Sequence, residues 1–371
     1  MFSHHTNLNE PLTCLNSPPA KVCLKMVGGI GDCIIALGGA AKALSQQGYE
    51  VTVSCREFQK PLITHMSGVH SYVSPSTLND PSARSKFDAL IDFAKVFNSR
   101  RALKSGGYYR LASERLQTSF GPGEFTFPRK EIYKKVVALH AGASNFNRCW
   151  PIDKWTRLAE ILVGNGYTVA WLGTKDDFGF NASRVFKLSD VTDDLTLQAQ
   201  SLAGYHYFIG NDSGFAHIAG VLGIPGRVIF SVIHPDDVIS FYPSLSGAHC
   251  FSEDNQPSLS LYPDDDRAEA NMKEISVEDV LEGTPFSASV CTPLDRTAGK
   301  KLRLGVCDVS QEVVNYLQEY FEIVSEEYDL LLKKEETCYF IHSEKGKAQV
   351  IGSDPESIRT AIREISSTIN T

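Results

Sequence analysis

The sequence has little of what a membrane, secreted or nucleic-acid-coating protein needs. Its apolar runs, such as Val136-Val137-Ala138-Leu139, fall far short of the roughly 18 residues that cross a bilayer. Positive charge is not in excess: 36 Lys and Arg stand against 44 Asp and Glu, a net of −8. That argues against gripping nucleic acid through global charge and leaves only a local basic groove. No two of the nine cysteines have a C-x-x-C spacing, so a zinc cage or a thioredoxin-type dithiol has no support. Cys23, Cys33, Cys149, Cys307 and Cys338 stand beside apolar residues, where a small hydrophobe is expected, and the set reads as reduced thiols of a cytoplasmic protein. The first 20 residues include His4, His5, Pro11, Pro18 and Pro19 without an apolar block, a polar tail rather than a signal peptide. With 42% hydrophobic and 22% charged residues the composition is that of an ordinary soluble globular protein. At about 150 residues per domain, 371 residues predict two domains, or two plus an appendage.

Strand and helix patterns alternate from residue 21 onward. Val22–Val27 reads as a strand buried on both faces, Gly28-Gly29-Ile30-Gly31-Asp32 as a turn, and Ile34–Gln47 as a helix ended by Gly48. Tyr49–Cys55 and Asp88–Phe93 follow as strands, and such units favour right-handed crossovers in a parallel sheet. Gly121, Pro122, Gly123 and Pro128 with the charged stretch through Lys135 mark an interdomain crossing. A second series comprises strand Lys135–His140, helix Asp153–Asn165, strand Tyr167–Leu172, strand Tyr205–Gly210, helix Phe215–Leu222 and strand Arg227–Phe230. The expected class is therefore α/β: a polar tail over 1–20, a Rossmann-like domain over 21–130, and a second over 131–285 facing it across a cleft. A small α/β module over 300–371 would hold strand Leu302–Cys307, helix Gln311–Phe321, strand Tyr328–Leu332, a hairpin of Thr337–His342 with Gln349–Gly352, and helix Pro355–Ile369. Parallel sheets bind ligands at the carboxyl ends of their strands.

Three turns carry chemistry. In Asn211-Asp212-Ser213-Gly214 a strand runs into a helix whose first amides make an anion site, and His217 lies one turn on. Asp212 would repel a phosphate and suits ligand hydroxyls instead; the plainer alternative is that Asp212 or Ser213 caps the helix. In His140-Ala141-Gly142-Ala143-Ser144, followed by Arg148-Cys149-Trp150-Pro151, small residues leave room and Arg148 offers a planar contact to a diphosphate, unless it is only a solvated arginine. In Gly28-Gly29-Ile30-Gly31-Asp32, the dinucleotide fingerprint fails at Ile34, and Asp32 is either a helix cap or a general base facing the cleft. Asp264-x-Asp266 has the spacing of metal-dependent sugar transferases but no strand before it, and reads as a solvated loop. Trp150, Trp155 and Trp171 fit packing better than sugar stacking.

In this order, Gly31-Asp32, His140-Ala141-Gly142-Ala143-Ser144, Arg148-x-Trp150-Pro151 and Asn211-Asp212-Ser213-Gly214-x-x-His217-x-Ala219-x-x-x-Gly223-x-Pro225 resemble glycosyltransferase family 9, the ADP-heptose:lipopolysaccharide heptosyltransferases and their relatives. The resemblance covers about residues 21–250 and is strongest over 136–225. It implies a GT-B fold, with acceptor on the first domain and nucleotide sugar on the second, and an inverting transfer needing no metal and no cofactor beyond the nucleotide-sugar co-substrate. Carried over by position, Asp32 is the catalytic base, with Gly29 and Gly31 in the acceptor-side loop. Ser144, Arg148, Ser213, Gly214 and His217 are on the donor phosphates, Asp212 is on the donor sugar, and Asp176 or Asp177 is on the nucleoside. The chain departs from the family in having Arg148 where Lys is common, in lacking a proline near Gly38, and in its terminal module. The implied partners are a nucleotide-diphosphate sugar and a glycan of lipopolysaccharide type, with a protein or a hydroxylated DNA base as other acceptors. The module would serve packing or oligomerisation, nucleic acid being the lesser reading because the G-x-x-G clamp is missing. Two rival functions are a catalytically silent nucleotide-sugar-binding protein on the same scaffold and a Rossmann oxidoreductase.

Overall fold

The computed structural model describes residues 20–94, 107–116, 118–127, 133–144, 148–231, 233–250 and 266–286, together with five strands between 303 and 350. The chain divides into two compact units, residues 1–179 with 187–288, and residues 180–186 with 289–371.

A four-stranded sheet opens the first unit, built from β1 (Lys21–Lys25), β2 (Glu50–Ser54), β3 (Ser71–Tyr72) and β4 (Ala89–Asp92) in the order β3-β2-β1-β4. Every pairing is parallel. In β1, Val22, Cys23 and Leu24 are all buried, as expected of a strand without polar alternation. The helical stretch after it covers residues 30–46 in three segments: Ile30–Cys33, a π-helical segment Ile34–Gly39, and Ala40–Gln46. The sequence pattern did not anticipate the wider turn, which accompanies close packing. Gly39 lies against Phe120 and the Gly121 carbonyl, and Gly38 against Met66. Gly48, at φ 89°, closes the stretch as the helix pattern required.

The second sheet has the order β10-β9-β8-β5-β6-β7, from β5 (Tyr133–His140), β6 (Thr168–Trp171), β7 (Val185–Lys187), β8 (Tyr205–Asn211), β9 (Gly226–Ile229) and β10 (Leu245–Ala248). Its central pairings β5–β6, β5–β8, β8–β9 and β9–β10 are parallel. Helix Ile152–Gly164 buries Trp155, Leu158, Ala159 and Leu162, one stripe at helical spacing. Trp155 meets Trp150 and Trp171 edge-on at 5.1 and 5.9 Å, and all three indoles are core. Helix Gly214–Leu222 stops at Gly223, φ 70°, where the Ile224 amide bonds back to the Ala219 carbonyl. Cys23, Cys33 and Cys55 are buried free thiols, and Cys149 and Cys250 are half-buried. Of the Asp264-x-Asp266 segment, Asp266 opens helix Asp266–Glu274 rather than lying in a loop, and Asp264 lies outside the described residues.

In the second unit, β11 (Arg303–Cys307) pairs in parallel with β12 (Glu322–Val324) and β13 (Leu330–Glu335). β14 (Cys338–Ser343) and β15 (Gly346–Val350) extend the sheet antiparallel. The expected hairpin is present with a shorter turn, β12 is an added strand, and helices 311–321 and 355–369 and the tail 1–19 lie outside the described residues. Among the described residues no helix is long and apolar enough to cross a membrane.

Candidate functional site

Within the first unit, the loops leaving the carboxyl ends of β1, β2, β4, β5, β6 and β8 line one cavity of about 890 Å³. A parallel sheet directs its strand-end amides and loops to one edge, and two such edges meet here.

From the first sheet come Gly28 through Asp32. Asp32 is the third residue of its helical turn, and its Oδ2 accepts the Gly29 amide at 2.8 Å. It is both cap and cavity residue, so neither sequence alternative excludes the other. Burial raises its pKa above the ordinary carboxylate value; the Gly29 hydrogen bond opposes this, Asp212 adds to it, and Arg148 opposes it. Gly29 and Gly31 line the same wall, with Val27 and Phe58 as exposed apolar neighbours.

The second sheet supplies the charge. Arg148 is no solvated arginine: its Nη1 lies 3.1 Å from Asp212 Oδ2 and its Nη2 donates to Ser144 Oγ. Asp212 and Arg148 side chains are only 9% and 12% exposed, so the pair sits in a site that screens poorly. Asn211 fixes the junction by donating to the Ala141 carbonyl and accepting the Trp150 amide at 3.3 Å. Ser213 is the N-cap residue of helix Gly214–Leu222, yet its hydroxyl makes no capping bond, and buried Ser213 Oγ has no hydrogen-bond partner among the described residues. The cap reading therefore fails for the Ser213 side chain. Such an orphan beside a helix start, in a cavity, is what a bound oxygen anion would satisfy.

His217 is buried and lines the cavity, with Nδ1 3.1 Å from the Tyr242 hydroxyl. Desolvation lowers its pKa to about 4, so it is a neutral ring and not the phosphate-side cation a histidine could be. Of the two nucleoside candidates, Asp177 lines the cavity and its Oδ2 accepts the Thr174 amide at 2.7 Å, whereas Asp176 is exposed and outside the lining.

Several lining residues had no role assigned from the sequence. His140 is buried at the end of β5, its Nδ1 2.9 Å from the Leu172 carbonyl, and burial holds its pKa down. Gln198, on helix Leu195–Leu202, clamps the Gly173 turn: its Oε1 accepts the Gly173 amide at 2.9 Å and its Nε2 donates to the Gly173 carbonyl at 2.8 Å. Arg56 and Thr196 also reach the cavity. Among the described residues no three His, Cys, Asp or Glu side chains come together as a metal cage.

Residues 103–258 match the family model of glycosyltransferase family 9 (heptosyltransferase). No curated protein matches the chain. Solved structures with the same fold include ADP-heptose lps heptosyltransferase II of E. coli, 14% identical over 71% of this chain and 96% of that one, TM-score 0.55. A glycosyltransferase family 9 protein of Veillonella parvula is 11% identical over 72% and 96%, TM-score 0.52. TibC of enterotoxigenic E. coli, described as an iron-containing dodecameric glycosyltransferase, is 16% identical over 71% and 74%, TM-score 0.52. The family 9 match thus covers residues 103–258, and the two parallel sheets share the fold of these glycosyltransferase structures.

Proposed function

We propose that the protein transfers a sugar from a nucleotide-diphosphate donor to an acceptor hydroxyl with inversion, using its own side chains rather than a metal. The observation that carries this reading is the convergence of Asp32 from the first sheet with Arg148, Asp212 and the Ser213-Gly214 helix start from the second on one cavity. The donor diphosphate takes the helix start, Ser144 and Arg148; its sugar takes Asp212; its nucleoside takes Asp177. The acceptor enters along Gly29 and Gly31, beside Val27 and Phe58. Its hydroxyl oxygen attacks the anomeric carbon while its proton passes to Asp32. The bond to the diphosphate breaks on the opposite face, and the electron pair leaves with the diphosphate.

The charge arithmetic favours this division of labour. A carboxylate with a raised pKa is a better base near neutrality than an ordinary one, and a positioned general base contributes roughly 10²–10⁴-fold. Negative charge growing on the leaving group meets a guanidinium and helix amides in a water-poor site, where each well-placed donor contributes about 3–4 kcal/mol. Without ligand, Arg148 is held by Asp212 and Ser144; donor binding exchanges these partners for phosphate and sugar hydroxyls. We favour a glycan of lipopolysaccharide type as acceptor, and assign the terminal sheet to packing or association; the dodecameric state belongs to TibC.

Asp32→Asn tests the scheme. Sugar transfer should be abolished while nucleotide-sugar binding, followed by calorimetry, persists. If the unmutated chain binds such donors yet transfers to no acceptor, whether glycan, protein or hydroxylated DNA, the silent-binder reading replaces it.

A further inference from the structure

Three buried side chains form a hydrogen-bonded row that ends in the cavity. Tyr109 and Tyr242 hydroxyl oxygens are 2.9 Å apart, and Tyr242 Oη is 3.1 Å from His217 Nδ1. All three residues are buried. Tyr109, on helix Gly107–Leu116, is wedged between Phe241 and Phe120 at ring distances of 4.7 and 6.3 Å. Tyr242 lies over Gly220, where a Cβ would strike its ring. Among the described residues neither hydroxyl has a further hydrogen-bond partner.

Counting protons along this row decides its direction. If Tyr109 donates to Tyr242 and Tyr242 donates to His217 Nδ1, both hydroxyl hydrogens are used, and the imidazole proton must sit on Nε2. If instead Nδ1–H donates to Tyr242, then either the Tyr109 hydrogen (when Tyr242 donates to Tyr109) or the Tyr242 hydrogen (when Tyr109 donates to it) points at no acceptor among the described residues, which folded proteins avoid in a buried site. The Cδ2–Nε2 edge of the ring faces Gly31, where an added Cβ would come within 2.7 Å of Nε2.

We propose that Tyr242, backed by Tyr109, is a positioning residue that locks His217 in the neutral tautomer with its proton on Nε2, so that the ring presents a fixed N–H donor to a ligand oxygen bound beside Gly31. The nature of that ligand rests on the transferase reading; the tautomer does not. A ring already protonated at Nε2 cannot accept the acceptor's proton, which leaves that task to Asp32. Desolvation keeps the ring neutral although Asp212 pulls its pKa up, with Arg148 acting the other way.

Histidine-labelled full-length protein tests this by long-range proton–nitrogen NMR, with the His217 signals assigned by their loss in His217→Gln. The expected spectrum has a protonated Nε2 and a bare Nδ1, unchanged between pH 6 and pH 8. Tyr242→Phe should convert it to a mixture of tautomers. Tyr109→Phe should leave it intact, because Tyr242 still has a proton to donate, and so it controls for disturbed packing. A protonated Nδ1 or an imidazolium in the unmutated protein, or a Tyr242→Phe spectrum identical to it, overturns the proposal. Failure of every nucleotide sugar to bind would sink the transferase reading and leave these spectra as they are.

Discussion

Asp32 joins helix capping and chemistry in one carboxylate: Oδ2 is tied to the Gly29 amide, and the group faces Arg148 and Asp212 across the cavity. Burial raises its pKa, so the ionised form that acts as base is lost at a higher pH than for an ordinary aspartate. The kcat/KM of transfer should therefore fall on acidification with a midpoint above the ordinary aspartate value of 3.8. A midpoint at or below that value would remove Asp32 as the base. Stability runs the other way. The folded state holds this proton more tightly than the unfolded chain, so the contribution is greatest below the unfolded pKa and declines as pH rises towards the folded one. Asp32→Asn should accordingly melt at pH 8 no lower than the unmutated protein. At this scale the sequence was informative where a polar residue occupies a strand-to-helix junction, as at Asp32, Asp212 and Ser213. It could not choose between Asp176 and Asp177, since only the turn that aims Asp177 at Thr174 separates them. Nor could it foresee the Arg148–Asp212 pair, whose members are 64 residues apart.

Among the elements, helix Ile152–Gly164 and helix Gly214–Leu222 were legible because local spacing and terminal glycine chemistry suffice to define them. The π segment Ile34–Gly39 was not, because it answers to packing against Met66 and Phe120 brought in from elsewhere in the chain. Gly31 shows what such packing demands. Its φ is helical, so its conformation would accept alanine, but a Cβ has no room beside the His217 ring. Gly31→Ala should therefore separate Ile30–Cys33 from helix Gly214–Leu222, costing about 1–3 kcal/mol as an overpacked site. Urea unfolding measures that loss, and the variant should also lose transfer by more than the fraction unfolded explains. Unchanged stability and transfer would mean that the two helix starts are not in register.

For the whole molecule, two parallel sheets contribute to one cavity through their strand ends, so a ligand that touches both stabilises their common unit. A nucleotide sugar at 100 times its Kd should add about 2.7 kcal/mol and raise Tm by several degrees; the corresponding free sugar should not. Differential scanning fluorimetry across a panel of nucleotide sugars checks this, and a flat panel would remove the donor assignment. Sequence by itself determined the alternation of strand and helix, the glycine stops, the buried tryptophans and the motif turns, because each depends on neighbours within a few residues or on apolar periodicity. Tertiary structure alone decided the strand order β10-β9-β8-β5-β6-β7, the pairing of Arg148 with Asp212, the row of His217, Tyr242 and Tyr109, and that Asp177 rather than Asp176 lines the cavity. Those features arise from distances and desolvation between segments far apart in the chain, which no local pattern encodes.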